Sequence, residues 1–370
     1  MKYYIIAGEA SGDLHGSNLM KALKHEDENA QFRFWGGDLM KKRGGELVKH
    51  YRQLAFMGFA EVIMNLRTIF RNIKTCKADI EKWQPDVIIF IDYPGFNMRI
   101  AEWAKERKIP THYYISPQIW AWKENRIKKI KRDIDEMYVI LPFEKDFYEK
   151  KHNFPVHFVG HPLLDAIANR PLVNIKKFKK DHHLNDKPIV VLLPGSRKQE
   201  IEKMLEVMLK IIPEFPDYQF VIAGAPSQDL EFYQGFMKKT EVGIIMDQTY
   251  DLLSISYAAL VTSGTATLET ALFKVPEVVC YKGSFLSYQI ARRIISLDFI
   301  SLVNLIMDRE VVKELIQNEF NAKNLKIELE KILKPDVRKK IFNDYFLLEQ
   351  KLGGNGASKK TAQLIVEKIS

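Results

Sequence analysis

Short apolar runs separated by amphipathic stretches dominate the first half of the chain: Tyr3–Ala7, Phe32–Trp35, Val87–Ile91, His112–Ile115, Met137–Leu141 and His157–Val159. Runs of this length, rich in β-branched and aromatic residues and alternating with helical periodicity, predict a parallel α/β sheet. A polar, Lys-rich passage, Asn174–Lys187, interrupts the rhythm and reads as an inter-domain linker or a short exposed helix. The rhythm restarts with Ile189–Leu193, Gln219–Ala223, Gly243–Met246, Ala259–Thr262 and Val278–Tyr281. Two doubly wound domains follow from this pattern, residues 1–172 and 173–345. The remaining residues, 346–370, are helical in pattern with a Gly353-Gly354-Asn355-Gly356 break, and form a last helix able to cross back onto the first domain.

One stretch has a different periodicity. From Phe59 to Ile73 the apolar residues fall at Phe59, Val62, Ile63, Leu66, Ile69, Phe70 and Ile73, with Arg67, Arg71 and Lys74 along one flank. That is an amphipathic helix, facing either the core or an anionic lipid surface.

Composition narrows the partners. With 370 residues, 46% hydrophobic and 28% charged, the chain has material for two cores. A net charge of +9 favours phosphorylated substrates, an anionic membrane or nucleic acid. The basic residues are spread along the chain rather than gathered into a recognition module, so no nucleic-acid partner is expected. Two distant cysteines, Cys76 and Cys280, fit a reducing cytoplasm. The chain opens directly on a strand with no leader pattern, and no apolar run reaches the ~20 residues of a membrane span, so any membrane contact is expected to be peripheral. The nine histidines show no metal-ligand spacing, and His182-His183 lies in the polar passage as solvated surface.

In open parallel sheets ligands collect beyond the carboxyl ends of strands, so the loops there carry the candidate chemistry. Gly8–Asp13 (G-E-A-S-G-D) follows the first strand and matches neither a dinucleotide nor a P-loop fingerprint. It is a tight turn with Ser11 or Asp13 as helix cap, or a glycine loop, with Ser11, Gly12 and Asp13, that lets the backbone approach a substrate while Glu9 is presented at the strand end. Asp92 ends an apolar strand just before Pro94 and Gly95, where a carboxylate either caps a turn or serves as a general base. In Leu192–Glu200 (L-L-P-G-S-R-K-Q-E), Ser196 and Gln199 predict a capping box and Arg197 supplies a planar cation suited to a diphosphate. Ala258–Leu272 (A-A-L-V-T-S-G-T-A-T-L-E-T-A-L) reads as strand, loop and helix, with Glu269 in the first helical turn and backbone N–H groups free to meet a phosphate. Trp120-Ala121-Trp122, followed by Lys123, Arg126, Lys128, Lys129, Lys131 and Arg132, is either an aromatic corner with a solvated helix or a basic rim for a phosphorylated acceptor.

Taken together, A-G-E-A-S-G-D (7–13), M-G-F-A-E-V (57–62), I-D-Y-P-G-F-N (91–97), Y-I-S-P-Q-I-W-A-W (114–122), L-P-F-E (141–144), V-G-H-P-L (159–163), L-L-P-G-S-R (192–197), S-G-T-A-T-L-E (263–269) and S-L-V-N-L (301–305) with E-L-I-Q (314–317) resemble the lipid-A-disaccharide synthases, inverting glycosyltransferases. The resemblance implies a GT-B fold, two Rossmann-like domains facing each other across a cleft. It implies transfer of 2,3-diacylglucosamine from UDP-2,3-diacylglucosamine to the 6-hydroxyl of 2,3-diacylglucosamine 1-phosphate, without metal or other cofactor. By the same resemblance UDP is held by Gly195, Ser196, Arg197, Ser263, Gly264, Thr265, Ala266, Thr267 and Glu269, joined by Asn304, with Glu269 on the ribose.

Inversion needs a base that deprotonates the acceptor hydroxyl. Asp92 is the first choice and Glu9 the second. The family pattern I-D-A-P-D-F-N has a second Asp where this chain has Gly95, which puts any role for that second carboxylate in doubt here. The Phe59–Ile73 helix aligns with the family's membrane-facing, acyl-binding patch, which implies peripheral contact with the cytoplasmic face of the inner membrane. A homodimer is left open. Two other readings remain: a GT-B enzyme like the UDP-N-acetylglucosamine 2-epimerases, which needs no acyl pocket, and a non-enzymatic basic protein that binds RNA or membrane.

Overall fold

The computed structural model describes residues 1–54, 66–237, 240, 242–283 and 298–369. The chain divides into two compact units, Met1–Asn169 with Leu352–Ser370, and Arg170–Lys351. Where the sequence pattern places the second boundary at 345/346, the division falls at Lys351/Leu352, because Pro335–Lys351 is one unbroken helix.

The first unit holds seven strands: β1 (Lys2–Ala7), β2 (Gln31–Gly36), β3 (Glu46–His50), β4 (Val87–Ile91), β5 (Thr111–Tyr114), β6 (Glu136–Val139) and β7 (His157–Phe158). They lie in the order β3-β2-β1-β4-β5-β6-β7, all parallel. The second holds six: β8 (Ile189–Leu193), β9 (Gln219–Gly224), β10 (Gly243–Met246), β11 (Ser256–Thr262), β12 (Glu277–Tyr281) and β13 (Lys313–Ile316). Their order is β10-β9-β8-β11-β12-β13, again parallel. The central strands are apolar on both faces and completely buried, as in Val87–Ile91 and Ile189–Leu193, because helices cover both sides.

Each sheet reverses its winding once, between β1 and β4 in the first unit and between β8 and β11 in the second. The loops leaving those four strands are Gly8–Glu9, Asp92–Tyr93, Pro194–Arg197 and Ser263–Gly264, the segments singled out by their residue types. A crevice opens at such a reversal because the two loops depart to opposite faces.

Of the two readings of Asn174–Lys187, the short exposed helix is the one formed: Asn174 caps the helix Ile175–Asp181 by accepting from Lys177 N–H at 3.1 Å, and of that helix Phe178 is buried, in the core of the second unit. Two expectations change. Strands β3 and β13 were missed, since E-L-V-K-H and K-E-L-I carry the charges expected of sheet edges rather than an apolar run. The amphipathic stretch is helical over Leu66–Trp83, with Ile73 and Cys76 in the core and Phe70 59% exposed. Phe59, Val62 and Ile63 lie outside the described residues.

Candidate functional site

In the first unit the site is built around a strained turn. Asp92 and Tyr93 both have left-handed backbones, φ +45° and +50°, which costs about 1–2 kcal/mol per non-glycine residue. The turn is held by its neighbours: Asn97 Nδ2 donates to Asp92 O at 2.7 Å, Tyr113 OH donates to the same oxygen at 2.5 Å, and Asp92 N–H donates to Tyr114 O at 3.2 Å. Pro94 then starts the helix Pro94–Glu106 at a position where its missing N–H costs nothing. The strain turns Tyr93 over Gly8, where an added Cβ would fall 2.3 Å from the Tyr93 ring. Glycine is therefore required at position 8 by close approach.

This arrangement leaves the Asp92 carboxylate largely buried and, among the described residues, without a cation. Burial pushes its pKa up to about 6, the charge of Glu9 adds to the rise, and the Tyr93 N–H partly offsets it. Glu9 is exposed at the N-cap of the helix Ala10–Glu26 and makes no side-chain cap. Neither Ser11 nor Asp13 caps that helix. Ser11 is exposed, and buried Asp13 instead caps the next helix, accepting from Gly37 N–H (2.8 Å), Leu39 N–H (3.0 Å) and Met40 N–H (3.0 Å). Gly12 packs on Ala7, where a Cβ would meet Ala7 Cβ at 3.1 Å.

In the second unit a cavity of about 240 Å³ opens at the β8/β11 reversal, lined by Gly195, Ser196, Gly264, Thr265, Ala266 and Glu269 among others. Gly195 has φ +103°, a left-handed backbone that favours glycine, and a Cβ there would lie 2.2 Å from the Glu200 carboxylate and push that side chain aside. The expected capping box is absent: Arg197 is the N-cap of the helix Lys198–Met208, no side chain caps it, and Ser196 N–H donates to Glu200 Oε2 at 3.3 Å. Arg197 is exposed and pairs with no carboxylate among the described residues.

The helix Thr265–Leu272 places Glu269 in its second turn rather than its first. There it is half-buried, its carboxyl pushed up by desolvation and pulled back by Tyr250, whose hydroxyl donates to Oε1 at 2.7 Å. Sequence reasoning missed Tyr250, because only the tertiary fold brings it beside Glu269. Two of the expected donor-binding residues are braces. Thr267 Oγ1 donates to Gly264 O at 2.8 Å. Asn304 is fully buried with its whole amide engaged: Nδ2 donates to Val312 O and Glu314 Oε1, both at 2.9 Å, and Oδ1 accepts from Val311 and Val312 N–H at 2.7 and 3.0 Å. It has no group left for a ligand.

The L-P-F-E and S-P-Q-I-W motifs meet at Glu144. Its buried carboxylate accepts from Ser116 Oγ (2.7 Å), Trp120 Nε1 (3.2 Å), Ile140 N–H (3.1 Å) and Leu141 N–H (2.9 Å). Trp120 is thus an internal brace, whereas Trp122 is half exposed beneath the cations of Lys123 and Arg126. Among the described residues no group of three or more His, Cys, Asp or Glu side chains is placed to hold a metal, and no helix is long and apolar enough to cross a membrane.

Two Rossmann-like sheets, each with its glycine-bearing loops at the winding reversal, define the GT-B class of fold. The solved UDP-GlcNAc 2-epimerase from Neisseria meningitidis shares it, with TM-score 0.72 over 99% of this chain and 100% of that one; at 15% identity the likeness speaks to fold alone. The family model described as lipid-A-disaccharide synthetase matches residues 3–368. Lipid-A-disaccharide synthases of Coxiella burnetii (38% identical, covering 98% of this chain and 96% of that protein) and Syntrophus aciditrophicus (39%, covering 99% and 97%) are similar throughout. The chain belongs to the lipid-A-disaccharide synthase family of glycosyltransferases.

Proposed function

We propose that the chain transfers 2,3-diacylglucosamine from UDP-2,3-diacylglucosamine to the 6-hydroxyl of 2,3-diacylglucosamine 1-phosphate, a step of lipid A biosynthesis. The observation that carries this reading is the family match over residues 3–368. In the reaction the acceptor O6–H proton passes to a carboxylate, O6 bonds to the donor C1 with inversion, and the C1–O bond to UDP breaks, giving the β-1′,6 disaccharide 1-phosphate and UDP.

Asp92 is the base in this reading. A carboxylate whose pKa lies near 6 is ionised at neutral pH yet holds a proton better than an ordinary aspartate, which suits it to taking a proton in the transition state. Glu9 is a tuning charge, since its field helps raise Asp92. For the donor, the Gly264–Ala266 backbone at the start of the helix Thr265–Leu272 receives the diphosphate, Glu269 meets the ribose, and Arg197, exposed beside them, adds positive charge. These groups supply the potential that a cation would, so no divalent ion is required.

Peripheral association with the cytoplasmic face of the inner membrane is part of the proposal. It is supported by exposed Phe70, by exposed Arg67 and Arg71 on the same helix, and by Arg99 stacked 5.6 Å over the Phe70 ring. The test is UDP release from the purified chain given both acylated substrates in EDTA. Release is expected only with the acylated acceptor present; conversion of UDP-N-acetylglucosamine to its 2-epimer without an acceptor would overturn the reading.

A further inference from the structure

Among the described residues the S-L-V-N-L and E-L-I-Q motifs do not line the donor cavity, yet they converge on one carboxylate. Glu314, on edge strand β13, is buried. Its Oε1 accepts from Ser301 N–H (2.9 Å), Ser301 Oγ (2.7 Å) and Asn304 Nδ2 (2.9 Å), and its Oε2 accepts from Ile300 N–H (2.9 Å). No cation pairs with it among the described residues, so four donors alone hold the charge. The other side of residue 300 faces the donor loop: Ile300 O accepts from Ser263 Oγ at 2.9 Å, and Ser263 N–H donates to Cys280 O at 3.0 Å. Ser263 is thereby fixed between β12 and residue 300, immediately before the Gly264–Ala266 backbone that lines the cavity.

We propose that Glu314 is a positioning residue for nucleotide-diphosphate binding, acting through Ile300 and Ser263 to set the height of the Gly264–Ala266 backbone. This rests on the donor-site reading above. The geometry explains why the residue is a carboxylate. A glutamine could keep its oxygen toward Ser301 and Asn304 only by turning its NH₂ onto the Ile300 N–H, which cuts that one link and leaves the other three. Asn304 belongs to the same clasp: its Oδ1 holds the Val311 and Val312 N–H groups and so fixes the start of β13 against residue 301.

The test is a double-mutant cycle on UDP affinity, measured by calorimetry. Glu314→Gln and Ser263→Ala remove opposite ends of one connection, so each should raise the Kd about 5- to 20-fold, and the double variant should resemble the weaker-binding single variant. Ser263→Thr, which keeps the hydroxyl, should recover most of the affinity. Independent effects, with the double variant losing the product of the two factors, would overturn the proposal, as would a Glu314→Gln protein that binds UDP within about 2-fold of wild type. Should Glu314→Gln not fold, Glu314→Asp, which withdraws the charge by one methylene, takes its place with the same expected coupling. A wild-type chain that does not bind UDP at all would refute the donor reading itself, a result distinguishable from independent effects.

Discussion

Asp92 combines two costs, a left-handed backbone and a largely buried carboxylate with no cation among the described residues, and neither is needed to end a strand. Strain of this kind persists where the surroundings over-determine it, and here Asn97 and Tyr113 do so. Asp92→Ala should lower kcat by at least ~10²-fold while UDP affinity, measured separately, stays within about 2-fold. Turnover under kcat/KM conditions should fall about tenfold per pH unit below pH 6, because the base must be ionised. Stability should move the other way. A carboxyl whose folded pKa is raised contributes stability while protonated, and that contribution is lost as pH rises from the ordinary aspartate range through about 6. Asp92→Asn, which tolerates the left-handed turn, should therefore unfold at higher denaturant than wild type at pH 8, by about 1–3 kcal/mol, and show no such gain at pH 4. The residue type and its strand-end position were legible in the sequence. The two positive φ angles and the proximity of Glu9 were not, because they arise from the meeting of β1, β4 and β5.

Among the elements, the buried strands were legible because a parallel sheet covered on both faces writes a continuous apolar run. The edges β3 and β13 were not, since an edge strand is short and charged and its pairing is decided by its neighbour. Helix starts were misjudged for a related reason. The Ser196-x-x-Gln199 spacing fits a capping box, but the Gly195 turn draws Glu200 under the loop instead. The helix Leu66–Trp83 has two faces that substitution should separate. Ile73→Ser should cost about 2–4 kcal/mol in chemical denaturation, as for a core apolar residue replaced by a polar one. Phe70→Ser, on the exposed face, should leave the midpoint nearly unchanged and weaken sedimentation with anionic vesicles. Equal sedimentation of Phe70→Ser and wild type would remove this helix from the membrane contact.

On the scale of the whole molecule, the chain returns to its first unit through the helix Ala357–Ile369, which buries Ala357, Thr361, Ala362 and Ile365 and packs on the helices Ala10–Glu26 and Pro162–Ala168. Asp165 fastens its start, accepting from Gly356 N–H at 2.6 Å and Ser358 N–H at 2.8 Å. His15 and His161 are buried beside it, their pKa values driven down to about 4 and about 3 by desolvation, so both are neutral in the folded chain. Asp165→Ala should destabilise the first unit by about 2–4 kcal/mol, read as an earlier calorimetric transition, because two charge-assisted bonds at a helix start are lost together. An unshifted transition would show that apolar packing alone holds the helix. The sequence by itself determined that there are two parallel sheets of buried strands and marked the candidate loops at their carboxyl ends, because buried strands, glycine turns and strand-end carboxylates are local patterns. Tertiary structure alone decided which of those residues face the site and which brace it. Asn304, Thr267 and Asp13 look alike on paper to Glu269 and Asp92, but a polar group's role depends on whether folding supplies its hydrogen-bond partners. Asn304, Thr267 and Asp13 found theirs within the chain. The Asp92 carboxylate was left with little beyond one backbone N–H, and the free proton-accepting capacity that remains is what the proposed base requires.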